Sequence, residues 1–309
     1  MPATKSDTQL LNETLFEQLA TPGLEKQAVD AINDFTRERV REDGFWRKLI
    51  PMLPIQNSDL DRQYDTDLPV KIVDMEPDSP AALSLPFATL PTNYYIRGRR
   101  YRVQFDRILT PRFTKDVDEL RTWVMDIRQV MSDNALKDML AEEDAKFLLA
   151  VNTGLISQGA IVPCSGTAQW QRLNGGITRD TIQDAFNVLP STPFSLAVHT
   201  CLVNHLTVRE FLKWGRDEVG GDLSQDLLKN GWTEAEFMNA RWIITLKRDL
   251  VPNNSIYMFA DPKFIGKSYG LEDTTMFVKR EAFMLEFFAY ESIGGGIGHL
   301  GSISRIDFA

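Results

Sequence analysis

A glycine-rich stretch near the end of the sequence has the spacing of a nucleotide-binding loop. Gly296, Gly298 and Gly301 match the pattern G-x-G-x-x-G, in which glycines let backbone N–H groups approach a pyrophosphate at the start of a helix. That site also needs a crossover helix and an acidic residue about 20 positions further on. Residues 302–309 are too few for either, so we expect glycines that permit bulges or close backbone approach in a sheet. A nucleotide-dependent oxidoreductase is therefore the least favoured function, and no cofactor is predicted.

Histidine and cysteine form one metal-like pattern, at His199, Cys201 and His205. Zinc takes four protein ligands, or three and a water molecule, and the other cysteine, Cys164, is far away in sequence. The apolar run Phe194–His199 predicts a buried strand that ends at the first histidine. We therefore expect structural roles for these side chains and predict no metal site.

Three successive acidic residues, Glu142, Glu143 and Asp144, could supply paired carboxylates for acid–base catalysis. Adjacent positions on a helix point in different directions, so we expect a solvated helix face here. The sequence contains neither the serine elbow of hydrolases, nor a phosphate-binding P-loop, nor a zinc-protease helix. No catalytic residue is predicted, and the chain is not expected to be an enzyme.

Basic and aromatic residues are concentrated in one stretch of the sequence. The basic residues are Arg97, Arg99, Arg100 and Arg102, interleaved with Tyr94, Tyr95 and Tyr101. Such a mixture is typical of surfaces that bind single-stranded nucleic acid, but in a strand the arginines divide between two faces. The acidic residues of the preceding segment are Asp59, Asp61, Asp65 and Asp67. Charge pairing within or between copies of the chain is the favoured interpretation, and nucleic-acid binding is the alternative.

The composition is that of an ordinary globular protein. Of its 309 residues, 43% are hydrophobic and 25% are charged, with a formal net charge of −9. A chain this acidic does not hold a polyphosphate backbone through its overall field. The two cysteines exclude a disulfide scaffold, and neither a secretory signal nor an apolar run of about 18 residues is present. We expect a soluble protein with no membrane partner.

The elements that position these residues begin with two predicted amphipathic helices in Leu10–Arg41. Eight of the fifteen prolines then fall between Pro51 and Pro111, a density that excludes helix. Within that segment, Val70–Met75 and Asn93–Leu109 have strand-like patterns and predict the two arms of one long hairpin. A two-stranded ribbon is marginal in water by itself. We therefore expect the ribbon to lie on another surface, most simply a neighbouring copy.

The pattern changes to helix over Lys115–Asn152, as one kinked helix or two end to end. The later positions of its apolar stripe are Leu136, Leu140, Phe147 and Val151. Further helices are predicted after Thr178, Thr207 and Thr233, the last two from capping boxes. Strands are predicted at Trp242–Leu246, Ser255–Ala260, Thr274–Lys279, Ala282–Glu291 and Ile297–Ile306. Helices and strands are interleaved without a βαβ repeat, which indicates an α+β fold.

This order of elements resembles the major capsid proteins of tailed bacteriophages, which share the Hong Kong 97-type (Johnson) fold. The stretches that carry the resemblance are Asn134–Gly154, Thr178–Leu206, Asn254–Gly270 and Ala282–Phe308. The resemblance implies an N-terminal arm at 1–50, an extended loop (the β ribbon) at 51–112, a peripheral domain with a spine helix at 113–177, an axial domain at 178–262 and peripheral return strands at 263–309. It also implies that the extended loop lies over the adjacent subunit.

What the resemblance implies about function is assembly without catalysis. Such proteins form hexamers and pentamers that close into an icosahedral head around double-stranded DNA, which they enclose without reading its sequence. The implied partners are further copies, a portal, a scaffolding protein and decoration proteins. The implied location is the virion, assembled in the host cytoplasm. The alternative is an encapsulin-like nanocompartment, a shell of the same fold around cargo enzymes.

The founding member of this family cross-links a loop lysine to an asparagine near its C-terminus. Here Lys71 is the only lysine between Pro51 and Thr114, and no asparagine follows Asn254. No such cross-link is therefore expected.

Overall fold

The computed structural model describes residues 44–62, 66–77, 82, 84–87, 89–120, 127–157, 169–211, 234–247 and 249–309. The helices expected in Leu10–Arg41 lie outside these residues, as do Asp65 and Cys164. In the described residues, one long helix packs between two β-sheets, and short helices pack on the second sheet. This mixed arrangement confirms the predicted α+β class.

The long helix is the element around which the rest is arranged. The helices are α1 (Phe45–Leu49), α2 (Val117–Leu120), α3 (Ile127–Ser157), α4 (Arg179–Asn187), α5 (His205–Phe211) and α6 (Pro262–Ile265). The stripe positions predicted at Leu136, Leu140, Phe147 and Val151 are all buried in α3, so this apolar face holds the helix against the core. The predicted start at Lys115 is wrong, because that residue pairs in a strand.

Two sheets contain the strands. These are β1 (Met52–Pro54), β2 (Asp61–Arg62), β3 (Pro69–Met75), β4 (Arg99–Leu109), β5 (Phe113–Asp116), β6 (Trp170–Leu173), β7 (Thr200–Asn204), β8 (Glu234–Phe237), β9 (Ala240–Thr245), β10 (Ser255–Phe259), β11 (Gly266–Glu281), β12 (Met284–Ile297) and β13 (Ile303–Phe308). The first sheet has the order β1-β11-β12-β4-β3-β2, with β5 also on β12. The second has the order β6-β13-β10-β7-β9-β8.

The second sheet is buried on both faces. In β10, Tyr257 and Phe259 point to the core that contains α3, whereas Ile256 and Met258 point to the core beneath α4 and α5. A strand covered on both faces reads as a continuous apolar run, which explains why β9 and β10 were recognisable as Trp242–Leu246 and Ser255–Ala260. The predicted strand Thr274–Lys279 is likewise confirmed as part of β11, and Ala282–Glu291 is confirmed as part of β12 from Met284 onward, because Ala282 and Phe283 form the turn between the two strands.

The last strand is not where the sequence places it. Within Ile297–Ile306, residues 300–302 form a 3₁₀ turn, and β13 then pairs with β10 and β6 in the second sheet. From the sequence, the strand Ile297–Ile306 was instead expected among the closing strands of the peripheral domain. The second sheet therefore includes β6 and β13, which lie on either side of the range 178–262 expected for the axial domain.

One predicted strand and one predicted helix begin at residues other than those expected. Phe194–His199 is irregular, and the buried strand begins only at Thr200. Thr207 does not begin a helix, because α5 starts two residues earlier. Its hydroxyl instead accepts a hydrogen bond from the backbone N–H of Asn254 at 3.0 Å.

The remaining capping-box prediction also fails, since the residues after Thr233 form β8 and pair antiparallel with β9. A strand partner thus overrides a local helix signal. By contrast, Thr178 begins α4 as predicted: its hydroxyl oxygen accepts from the backbone N–H of Thr181 at 3.3 Å.

The glycine-rich stretch lies where the first sheet is most closely packed. Gly294 to Gly296 belong to β12, and a Cβ atom added to Gly295 would lie 2.2 Å from the Trp46 ring. A Cβ atom on Gly294 would lie 2.9 Å from the carbonyl oxygen of Gln104 in the adjacent strand. Close approach in a sheet is thus confirmed as the role of these glycines. After Gly301 the chain continues into β13 of the other sheet, which is not the helix that a dinucleotide loop requires.

Candidate assembly surface

The predicted ribbon is present and is continuous with the first sheet. β3 and β4 pair antiparallel from Val70–Gln104 to Met75–Arg99. β4 then continues into the body, where Phe105 lies opposite Gly294 of β12. Val103 and Phe105 are buried along this path, so the base of the ribbon is fixed by burial as well as by hydrogen bonds.

The end of the ribbon exposes an unusual amount of apolar surface. Residues 84–87 and 89–98, which we call the ribbon tip, lie outside any strand or helix. Its exposed large side chains are Leu85, Phe87, Leu90, Tyr94, Tyr95 and Ile96. Exposed apolar groups concentrated in one segment are typical of a protein–protein contact surface. Because these side chains are exposed, they do not pack on the body of their own chain.

Three of the four arginines lie in β4 and take the two orientations that the strand alternation predicts. Arg100 and Arg102 lie on the exposed side of β4, whereas Arg99 lies on the same side as Tyr101 and Val103. Arg97 belongs to the ribbon tip. Arg100 Nε lies 2.7 Å from Asp74 Oδ1, an aspartate that was not among the predicted partners.

Three of the four predicted acidic residues, Asp59, Asp61 and Asp67, lie at the base of the ribbon. Asp67 forms an ion pair with Arg62, and Asp61 Oδ2 accepts from the backbone N–H of Ile72 at 3.4 Å. Asp59 is the last residue of a 3₁₀ turn just before β2, and its backbone carbonyl oxygen accepts a hydrogen bond from Lys71 Nζ at 2.8 Å. Arg100 and Asp67 thus pair with local neighbours.

A second apolar surface, which is partly exposed, lies on the outward side of the first sheet. It comprises the exposed Leu109 and Phe277 and the half-buried Phe288 and Tyr290, with Arg107 and Arg112 beside them, and we call it the aromatic face. The ring centroids of Phe277 and Phe288 are 5.0 Å apart, and those of Phe288 and Tyr290 are 6.3 Å apart. The two guanidinium carbons lie 5.5 and 5.6 Å from the centroids of Tyr290 and Phe288, within cation–π range.

The ribbon tip and the aromatic face are far apart in one subunit. Arg99 and Leu109 are the two ends of β4, and an extended strand rises about 3.3 Å per residue. The start of the tip and the aromatic face are therefore separated by roughly 33 Å along that strand. Among the described residues, the tip of a subunit therefore does not cover the aromatic face of the same subunit.

On the side of β12 opposite the aromatic face is a buried group of charges that was not predicted from the sequence. Glu143 and Asp144 are both 0% exposed, so the expectation of a solvated acidic face is wrong for these two residues and holds only for Glu142. Arg47 donates to Glu143 through Nε at 2.9 Å and Nη2 at 2.5 Å. The same Nη2 lies 3.1 Å from Glu291 Oε2. We call these residues, with Asp144 and Lys247, the buried charge cluster.

The cluster joins α1 to α3 and to both sheets. Asp144 accepts from the backbone N–H of Trp46 at 3.0 Å and from Lys247 Nζ at 2.6 Å. Burial raises the pKa of Asp144 despite these donors. Burial also opposes the charge of Arg47, but the hydrogen bond and charge of Glu143 outweigh it and raise the pKa of Arg47. The cluster therefore fixes the segment that connects residues 1–43 to the body.

The metal-like pattern does not form a site. His199 Nδ1 lies 3.0 Å from the hydroxyl of Thr200, and Cys201 is fully buried, which raises the pKa of its thiol. Across the part of the chain that the structure describes, no group of three or more histidine, cysteine, aspartate or glutamate side chains is arranged to hold a metal ion. In the same residues, no helix combines the length and apolarity that crossing a membrane requires.

No protein-family model and no curated protein matches the sequence. Solved structures do match this fold. A virus-like particle from Pyrococcus furiosus superposes with a TM-score of 0.57 and 13% identity, over 90% of this chain and 99% of that chain. The capsid of an empty GTA particle gives a TM-score of 0.61 and 12% identity, over 85% and 89%. The mature capsid of bacteriophage PhiM1 gives 0.58 and 8%, over 86% and 87%.

These similarities extend over most of both chains, although few residues are identical. They confirm the resemblance drawn from the order of elements: the chain has the Hong Kong 97-type major capsid fold.

Proposed function

We propose that this chain is the major subunit of a protein shell, a capsid protein that assembles through hexamers and pentamers into an icosahedral phage head around double-stranded DNA. It acts by assembly and not by catalysis. The single observation that carries the proposal is the ribbon tip, which holds six large apolar side chains in solvent. Exposed apolar side chains grouped in this way are typical of a surface that another molecule covers, and a two-stranded ribbon is marginal in water by itself.

A second copy is the partner that fits the geometry. The tip of one subunit is placed on the aromatic face of the next, and the tip of that subunit on a third. A contact between two different surfaces of the same protein is heterologous, and repeated heterologous contacts close into rings when the rotation permits. Rings of five copies are the pentamers of the proposal, and rings of six copies are its hexamers. The arginines of the aromatic face can stack on Tyr94 and Tyr95 of the incoming tip.

Charge adds to this contact. Four arginines lie at or beside the tip, and Asp59, Asp61 and Asp67 lie at the base of the ribbon. We propose that the following residues contribute charge to the contact between subunits, with Arg100 and Asp67 also keeping their local ion pairs: Arg97, Arg99, Arg100, Arg102, Asp59, Asp61, Asp65 and Asp67. Complementary surface charges of this kind set the orientation and rate of association more than its final strength.

The domain division of the proposal follows the resemblance. It comprises an arm at 1–50, an extended loop at 51–112, a spine-helix region at 113–177, an axial domain at 178–262 and return strands at 263–309, with β6 and β13 assigned to the axial sheet. The proposed partners are further copies, a portal, a scaffolding protein and decoration proteins. The proposed location is the virion, after assembly in the host cytoplasm, and the enclosed DNA is not read by sequence.

Size-exclusion chromatography followed by negative-stain electron microscopy tests the proposal. The purified full-length chain should elute as a megadalton species, and the images should show closed shells of uniform diameter. A monomer that stays a monomer at high concentration, with or without co-expressed scaffolding protein, would contradict it. No lysine–asparagine cross-link is expected, so the shells should dissociate to single chains on a denaturing gel.

An encapsulin-like nanocompartment is the second candidate. The similarity to a virus-like particle over 99% of that chain supports it, because that particle is a shell described without reference to a phage. The contents of purified shells decide between the two. Enclosed DNA that resists added nuclease supports the phage head, whereas a co-purifying protein inside intact shells supports the nanocompartment.

A further inference from the structure

Two buried carboxylates share one guanidinium at the junction between α1, α3 and β12. Glu143 is 0% exposed and Glu291 is 1% exposed, and both bind Arg47. Glu291 Oε2 also accepts from the hydroxyl of Thr274 at 3.0 Å. Glu291 Oε1 is buried and has no hydrogen-bond partner among the described residues. A buried carboxylate oxygen without a donor is costly, and protonation removes that cost.

The charges around this pair do not balance. Arg47 on α1 offsets one of the two carboxylates. On α3, the adjacent Asp144 is already paired with Lys247, which follows β9, so that cation is engaged elsewhere. On β11, Thr274 is neutral, and its exposed neighbour Asp273 adds negative charge that raises the pKa of Arg47. Among the described residues, one negative charge is left over inside the protein, where an unpaired charge is strongly disfavoured.

We propose that the buried charge cluster holds one proton between Glu143 and Glu291 in the folded subunit, and that loss of this proton loosens α1 from α3 and β12. The proton adds to a carboxylate to give a neutral carboxylic acid, which leaves Arg47 paired with the one remaining anion. When the proton leaves to solvent, the second anion forms in a site with no further donor. The inference concerns the single subunit and does not depend on shell assembly.

The direction of the effect follows from linkage. Burial, followed by the hydrogen bond and charge of Glu143, raises the pKa of Glu291 from 4.5 to about 8, against the opposing charge of Arg47. An acid whose pKa is raised on folding binds its proton more tightly in the folded state. Its contribution to stability is therefore complete below about pH 4.5 and is lost progressively as the pH rises to about 8.

The element that loosens is the attachment of the N-terminal segment. Trp46 of α1 stacks on Phe147 of α3 at 5.7 Å and donates through Nε1 to Ser268 of β11 at 2.9 Å. The same ring lies against Gly295 of β12. A second anion beside Arg47 would disturb the ion pairs of Arg47, which is the neighbour of Trp46 in α1. The position of the arm relative to the spine helix therefore becomes sensitive to pH.

The test compares wild type with Glu291→Gln, which keeps the shape and carries no charge. The full-length chain, kept in one assembly state, is unfolded in urea between pH 5 and pH 9. The ratio of the wild-type to the variant unfolding constant should rise by up to tenfold per pH unit toward pH 8 and then level off, because one proton is involved. Hydrogen exchange, corrected for intrinsic rates, should show α1 losing protection at alkaline pH in wild type but not in the variant.

Glu286→Gln is the matched control, since Glu286 lies on the same strand but on its outward, half-buried side. It should keep the wild-type pH dependence. Glu143→Gln is the second variant and should abolish that dependence as Glu291→Gln does, because either change leaves one anion for Arg47. If Glu291→Gln does not fold, Glu143→Gln carries the same comparison. Parallel pH profiles for wild type and the folded variant, or an equal effect of Glu286→Gln, would overturn the proposal.

Discussion

Replacing two side chains of the ribbon tip by serine should separate assembly from folding. Phe87 is fully exposed and Tyr95 is 89% exposed in the subunit. Substitutions at exposed positions away from caps and networks usually change the free energy of unfolding by no more than about 0.5 kcal/mol. We therefore expect the double variant Phe87→Ser, Tyr95→Ser to fold with an unchanged urea midpoint.

The same change should weaken assembly strongly. Burying one large apolar side chain contributes about 1.5–3 kcal/mol, so losing two removes about 3–6 kcal/mol from each tip contact. Since about 1.4 kcal/mol corresponds to a factor of ten, the equilibrium constant of the contact should fall by roughly 10² to 10⁴. Every subunit in a ring makes this contact, so the effect on closed shells is larger than on a single pair.

Light scattering as a function of protein concentration measures the effect. The double variant should need at least about a hundredfold higher concentration to form particles. Leu246→Ser is the control, because Leu246 is 75% exposed but lies beyond β9 of the second sheet, away from the ribbon. Assembly of the double variant at the wild-type concentration would refute the reasoning, and so would an equal loss in the control.

Reversal of the four ribbon arginines to glutamate should weaken each contact by about 1–3 kcal/mol in low salt, because exposed ion pairs contribute about 0.2–1 kcal/mol each. Light scattering should show this difference shrinking in high salt, and assembly that is equal to wild type at every ionic strength would contradict it. Gly295→Ala should destabilise the subunit by about 1–3 kcal/mol through overpacking, because its Cβ atom would lie 2.2 Å from the Trp46 ring; an unchanged urea midpoint would be the contrary result. Thr178→Ala should cost about 1 kcal/mol by removing the cap of α4, whereas Thr178→Ser should restore most of it, both read from thermal unfolding.

The sequence was informative where a local pattern decides the structure. The ribbon was predictable because prolines exclude helix and because Arg99–Leu109 alternates between buried and exposed positions. α3 was predictable from the spacing of its apolar residues. The glycine-rich stretch was interpretable because a dinucleotide loop needs a helix after it, whereas here the chain continues into strand β13.

The sequence was misleading where distant partners decide. Glu143 and Asp144 are buried because Arg47 and Lys247, about a hundred positions away, neutralise them. One signal could have found them: they occupy the positions between Leu140 and Phe147 at which the buried stripe of α3 would continue. Acidic residues on a buried helical stripe indicate buried partners of opposite charge.

The starts of β7 and β8 were also set by distant pairing. Thr200 lies opposite Phe259 and Arg241, and Glu234 lies opposite Ile243. A strand exists where its partners are, and the local sequence does not report that register. The apolar content of Phe194–His199 therefore gave the right kind of element at the wrong place.

Strand β4 is an unbroken bar of eleven residues from Arg99 beside the tip to Leu109 at the aromatic face. Half of it is held by β3, and its inner part lies against β12, the strand whose glycines accommodate Trp46. A displacement of the tip is therefore expected to reach the contact between β12 and α1 through this continuous strand. In the proposed shell, a change in the angle between two neighbouring subunits would then also shift α1 in each of them.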